Sequence, residues 1–173
     1  MTELLIRHEA PGDEAAIREL NDLAFGGKTE GAIVDALRAS GCELISLVAA
    51  RGTRIVGHIF FSPVTIATPA GVVTGTGLAP MAVMPGEQSR GIGSQLVRAG
   101  LDEVRAKSHP FVVVLGHPHY YPRFGFVPAS RHGIRCAWDE VPDEALMAMV
   151  LNAAAMNGVT GIARYRPEFD AAI

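Results

Sequence analysis

Val83-Met84-Pro85-Gly86-Glu87-Gln88-Ser89-Arg90-Gly91-Ile92-Gly93-Ser94 is the stretch on which the reading of this chain turns. An apolar run, Val72 to Val83, stops at Pro85-Gly86, and a polar turn follows. Beyond it Ile92, Leu96, Val97, Leu101 and Val104 share about half of a helix circumference at about 100° per residue. The pattern is strand, turn, helix. The first amides of a helix lack internal partners, and the macrodipole places about half a positive charge there. Gly91 and Gly93 carry no Cβ to keep an anion away, and Arg90 and Ser94 add a charge and a hydroxyl. Spacing alone fits a diphosphate site and an ordinary glycine-rich connection equally well. A nucleoside-triphosphate loop is excluded, because no Gly-Lys-Ser/Thr follows. A dinucleotide fingerprint fails too: Gly75-Thr76-Gly77 meets Pro80 where the third glycine belongs, inside a strand run.

Toward the N-terminus, Leu4 to Arg7 reads as a strand stopped by Ala10-Pro11-Gly12. Asp13 then caps a helix with Ile17, Leu20 and Leu23 on one face. After Gly26-Gly27, Thr29 caps a second helix carrying Ile33, Val34 and Leu37, which Gly41 ends. Leu44 to Ala50 and Ile55 to Phe61 flank Arg51-Gly52-Thr53 as a hairpin. Pro69-Ala70-Gly71 turns into the run ending at Val83, whose Gly75, Gly77 and Pro80 signal a bulge or a close approach to the backbone. Toward the C-terminus, Phe111 to Leu115 has the continuous apolar character of a buried strand. His117 to Pro122 is too proline-rich for a long helix, and Phe124 to Val127 reads as a short strand. Asp143 to Met156 reads as a helix and Val159 to Ala163 as a last apolar piece. No repeat or linker interrupts this order, so residues 1–173 read as one α/β domain with a largely antiparallel front half.

The 173 residues are 49% apolar and 19% charged, enough for a sizeable core and too apolar for a disordered chain. Fifteen Lys and Arg against eighteen Asp and Glu leave a net charge of −3, which argues against a nucleic-acid partner. No signal-peptide pattern opens the chain, and no run reaches the roughly 18 apolar residues of a membrane helix. Cys42 and Cys136 form no C-x-x-C pair, which argues against structural zinc and a disulfide framework. A cytoplasmic location is the expectation.

Gln88-Ser89-Arg90-Gly91-Ile92-Gly93 matches Gln/Arg-x-x-Gly-x-Gly/Ala, the signature of the GNAT N-acetyltransferase superfamily, between strand and helix as it stands there. Leu115-Gly116-His117-Pro118-His119-Tyr120-Tyr121-Pro122-Arg123-Phe124-Gly125-Phe126 resembles the superfamily's second diagnostic block. More narrowly it is similar to that of the bacterial YhbS-like small acetyltransferases. The element order is similar across nearly the whole chain, least so from about Pro142 onward. The resemblance implies a GNAT-like acyl-CoA N-acyltransferase fold: α/β (α+β), with a mixed, mostly antiparallel sheet flanked by helices. It implies transfer of an acetyl group from acetyl-CoA to a primary amine, with no metal. It further implies that amides at Gln88, Ser89, Arg90, Gly91, Ile92, Gly93 and Ser94 hold the diphosphate. The pantetheine arm would lie along Met81, Ala82 and Val83, where that strand splays from Phe111–Leu115. Pantetheine needs backbone partners rather than charge, which suits these apolar residues, as plain core packing also would. An amide near Val83 would polarise the thioester carbonyl.

Tyr121 stands four residues before Gly125 in Tyr-x-x-x-Gly-Phe, the register in which GNAT enzymes place an acid tyrosine. A departing thiolate leaves more easily with a proton, and a phenol of ordinary pKa near 10 supplies one. Tyr120 competes for the role, and both rings could simply pack against Phe124 and Phe126. Pro118 and Pro122 depart from the helix usual in this block, which leaves the direction of Tyr121 open. The incoming amine must lose a proton first, since an ordinary lysine-type ammonium has a pKa near 10.4. Glu30 is the candidate carboxylate, the alternative being that it complements the dipole of the second helix. His58, His117 and His119 have no nearby carboxylate or cysteine to complete a metal set; His117 reads as a proton relay or pocket wall, and Trp138 as a core or rim residue. The acceptor would be a small-molecule or protein amine, with no membrane partner, and GNAT proteins often pair as homodimers. The fold does not choose among amines, and a non-catalytic acyl-CoA sensor is the alternative function.

Overall fold

The computed structural model describes residues 2–172. In chain order the elements are β1 (Leu4–His8), α1 (Glu14–Phe25), α2 (Thr29–Ser40), β2 (Ile45–Arg51), β3 (Arg54–Thr68) and β4 (Gly71–Val83). They continue with α3 (Ile92–Ala106), β5 (Phe111–Leu115), β6 (Val127–Pro128), β7 (Ile134–Cys136), β8 (Leu146–Val150) and β9 (Gly161–Arg164). Two compact units share them, and β3, β4 and α3 contribute residues to both. Among the described residues no helix is long and apolar enough to cross a membrane.

The first unit gathers residues 2–61, 79–103 and 167–172. β1 runs antiparallel to β2 from Leu4↔Arg51 to His8↔Leu47, and β2 runs antiparallel to β3 with Ser46 opposite Phe60. The apolar faces expected of the first two helices are buried: Ile17 and Leu20 on α1, and Ile33, Val34 and Leu37 on α2. α3 lies close on β3, and glycines make that approach possible. A Cβ on Gly57 would come 2.9 Å from Leu96, and one on Gly100 would come 2.5 Å from the ring of Phe61. Of the two expected N-caps, Asp13 stands in place and Thr29 does not. Lys28, not Thr29, is the N-cap of α2, and Thr29 is its first residue. Asp13 is at the N-cap of α1 but makes no capping bond, because its carboxylate is taken by Arg7 (2.6 Å) and by the amide of Ala10 (2.8 Å).

The second unit gathers residues 62–78 and 104–166. Here β4 pairs with β5 in parallel over three residues, Thr76↔Val112 to Leu78↔Val114. β5 pairs antiparallel with β8, β8 with β6, and β9 with the far end of β3 and in parallel with β7. Val64, Ile66, Phe111, Val113, Leu146 and Ala148 centre the core. Gly75 is the close approach that the sequence suggested: a Cβ there would stand 2.6 Å from the carbonyl oxygen of Phe111.

The helix expected from Asp143 to Met156 is absent. A single 3-10 turn, Asp143–Ala145, leads into β8. Leu146, Met147, Ala148 and Met149 are all buried, which a strand covered on both faces achieves and a surface helix does not. Leu, Met and Ala favour helix intrinsically, but the slot between β5 and β6 decides otherwise. The short strand expected at Phe124 to Val127 is displaced to β6, since Tyr121–Phe124 form a 3-10 turn and Gly125, at φ +103°, closes it.

Candidate active site

The turn between β4 and α3 has the form its sequence suggested. Pro85–Glu87 make one 3-10 turn, and Ser89 and Gly91 then both adopt left-handed backbone, with φ of +61° and +81°. The first backbone bond of α3 runs from the amide of Gln95 to the carbonyl of Gly91 (3.1 Å). The amides of Ile92 and Gly93 precede it, so no carbonyl one turn back receives them. Alternating left-handed residues beside a helix start form a concavity of N–H groups suited to an anion. Nothing lies within 4 Å of a Cβ built on Gly91, so the space beside it is open. Gln88 fastens the turn to the strand, its Nε2 donating to the carbonyl of Val83 (3.0 Å). Arg90 is not wholly committed to a ligand: its Nη1 stands 3.5 Å from Glu87, which Arg51 also approaches at 3.4 Å. Along the strand end Ala82 is buried, while Met81 and Val83 are half-buried.

In the second unit, Tyr121 opens the turn after β5 and is 7% exposed. Its ring meets Tyr120 edge-on at 5.0 Å and Phe126 at 5.8 Å. It also lies over Gly116, where a Cβ would come 2.5 Å from the ring. Burial, then the neighbouring Tyr120 phenol, push the Tyr121 hydroxyl well above the ordinary tyrosine range. The group keeps its proton near neutrality, as an acid must and a base must not.

Glu30 lies half-buried in the first turn of α2, where its charge complements the helix dipole. Among the described residues no hydrogen bond or ion pair joins it to the 88–94 turn. A groove of about 450 Å³ runs between α2 and the C-terminal turn Pro167–Ala172, lined by Thr29, Ala32, Ile33, Ala36 and Ala171 with Lys28 and Glu168. Glu30 is not part of its lining. His117 and His119 are exposed, and Trp138 stacks on Tyr165 at 5.5 Å. Among the described residues no group of three His, Cys, Asp or Glu is placed to hold a metal ion.

A buried polar chain escaped the sequence reading. Asn21 and His58 are both fully buried. Asn21 Nδ2 donates to the carbonyl of Ile17 (2.9 Å) and lies 3.3 Å from Nδ1 of His58. His58 Nε2 meets Ser46 Oγ, Ser46 Oγ donates to Glu9, and Arg38 Nη2 donates to Glu9 Oε1 (2.6 Å). Desolvation, then the Arg38 charge, lower the His58 pKa to about 3. The trio of Ser, His and Asn is not a nucleophile set. With Asn21 donating to Nδ1, the imidazole hydrogen sits on Nε2 and leaves no lone pair to take the serine proton. The available signal was a lone Asn on the apolar face of α1.

Residues 6–129 match the model of the acetyltransferase (GNAT) domain family. The chain is 35% identical over 168 residues to the Escherichia coli (strain K12) protein named "Uncharacterized N-acetyltransferase YhbS", covering 96% of this chain and 99% of that protein. It is similar to the crystal structure of Escherichia coli YhbS in complex with CoA, with a TM-score of 0.90 at 34% identity over 98% of this chain and 93% of the other. A GNAT family acetyltransferase from Brucella melitensis in complex with acetyl-CoA is also similar, with a TM-score of 0.81 at 33% identity, covering 98% of this chain and all of the other (100%). The glycine turn stands between strand and helix where it was read, relatives run alongside almost from end to end, and the chain belongs to the GNAT family of N-acetyltransferases.

Proposed function

We propose that this chain moves the acetyl group of acetyl-CoA onto a primary amine by direct attack, with Tyr121 as general acid. One observation carries the reading: Ser89 and Gly91 hold left-handed backbone beside an open space at the start of α3, inside the family's signature. Solved relatives bind CoA and acetyl-CoA. Amides between Gln88 and Ser94 would hold the diphosphate, and Met81, Ala82 and Val83 would offer backbone partners to the pantetheine. An amide near Val83 would receive the carbonyl oxygen as it gains charge.

The chemistry balances with few groups. The amine nitrogen forms a bond to the carbonyl carbon as the carbon–sulfur bond breaks. Tyr121 Oη gives its proton to the leaving sulfur, and the nitrogen loses one to water or to Glu30. Solvent then returns a proton to Tyr121. A phenol held above its ordinary pKa suits the donor role at neutral pH. Both cysteines are free thiols, in keeping with a cytoplasmic enzyme.

Calorimetry with acetyl-CoA, followed by an amine panel read through thiol release, tests the reading. Heat of binding with amine-dependent thiol release is the expected result. Binding without release on any amine would leave an acyl-CoA sensor, and no binding at all would remove the cradle.

A further inference from the structure

The turn that carries Tyr121 also presents a guanidinium already held in place. Arg123 is exposed, yet its Nε donates to the carbonyl of Tyr120 (2.8 Å) and its Cζ stands 4.4 Å from the centre of the Tyr120 ring. Stacked and anchored by its own turn, the group has surrendered its freedom without meeting a charge. Among the described residues neither Nη of Arg123 has a protein acceptor. Arg7, Arg18, Arg38, Arg51 and Arg90 are by contrast each paired with a carboxylate.

The surrounding sequence points the same way. Between Glu103 and Asp139 there is no acidic residue, while Arg105, Lys107, Arg123, Arg131 and Arg135 all fall there, with four histidines. Arg123, Arg131 and Arg135 are exposed, as are His117 and His119. The run itself carries only positive formal charge, and Asp143 is set against it on Ser130 at its far end (3.0 Å), so the charge around Arg123 is biased toward positive. A planar fork with two open Nη groups in such surroundings fits the paired oxygens of a carboxylate or phosphate.

We infer that Arg123 grips an oxyanion of a substrate. Two sources share that chemistry, the 3′-phosphate of the coenzyme A carrier and an anionic group borne by the amine. Which substrates these are rests on the proposed transferase reading; the oxyanion site itself does not.

Two measurements decide it. First, the Arg123 Nε–Hε resonance, assigned by its loss in R123Q, is followed while inorganic phosphate and then acetate are added at constant ionic strength. A saturable shift is expected. Second, CoA and 3′-dephospho-CoA are titrated into the wild type, R123K and R123Q. A ten- to hundredfold preference for CoA that collapses in R123Q, and only partly returns in R123K, assigns the carrier phosphate. Equal affinities in the wild type alongside a responding resonance assign the anion to the amine. A silent resonance, with R123Q binding both carriers as the wild type does, overturns the inference. Should the wild type give no heat with CoA, the transferase reading fails, while the phosphate titration still decides Arg123.

Discussion

His58 Nε2 lies 3.0 Å from Ser46 Oγ, and the imidazole hydrogen lies along that contact. Asn21 donates on the other side of the ring, and Ser46 passes its own hydrogen to Glu9. Every hydrogen along the chain then runs toward the carboxylate, and a proton added at Nδ1 would face a donor. Neutral imidazole belongs to the folded state.

A stability loss in mild acid follows. The folded pKa is lowered to about 3 from the ordinary 6.5, so the unfolded chain binds the extra proton between those values. Stability from this group is complete above pH 6.5 and declines as pH falls, with a slope approaching about 1.4 kcal/mol per pH unit. Urea midpoints measured from pH 7 to 4.5 should show that slope in the wild type and a flatter one in H58Q. Parallel slopes would remove His58 from the acid response.

Tyr121→Phe should lower kcat by about 10²–10⁴-fold and leave acetyl-CoA affinity near the wild-type value. Since the hydroxyl is held above its ordinary pKa of 10.0, tyrosinate absorbance should rise alike in wild type and variant up to about pH 11. Unchanged turnover, measured by thiol release, would take Tyr121 out of the reaction.

Gly91→Ala separates the backbone from the cradle. The left-handed φ of +81° makes alanine there cost about 1–2 kcal/mol of stability, although its methyl meets no protein atom. Binding of acetyl-CoA should weaken beyond what that loss explains, because the methyl would enter the space proposed for the anion. Affinity equal to wild type in calorimetry would show that the anion sits elsewhere.

Gly75→Ala should be costly for a different reason. Its Cβ would press within 2.6 Å of a β5 carbonyl oxygen, and backbone cannot swing aside as a side chain can. Overpacking of this kind costs about 1–3 kcal/mol. A thermal midpoint within a degree of wild type would mean the strands relax freely.

Much of the fold was plain in the residues. The apolar spacing from Ile92 to Val104 and the run Phe111 to Leu115 each specify one element, because local preference and burial agree there. β8 is not legible in its residues, because Leu, Met and Ala favour helix and only the slot between β5 and β6 overrules them. At the site, the turn at Ser89 and Gly91 was legible from glycine spacing, whereas the left-handed conformation of Ser89 was not. The His58 chain joins residues far apart in sequence through contacts that no local pattern encodes. The acid-free run before Asp139 was readable at sight, but its meaning needed the stacked geometry of Arg123.

The paired left-handed residues of the glycine turn have a kinetic corollary. Because Gln88 lashes the turn to its strand and α3 fixes the other side, the N–H dipoles are already aimed before any guest arrives. On the proposed reading, an incoming oxyanion would surrender its water shell to a turn already formed, with little chain entropy forfeited in the encounter. Capture should therefore proceed in one step at a rate governed by diffusion, without a slow loop rearrangement behind it.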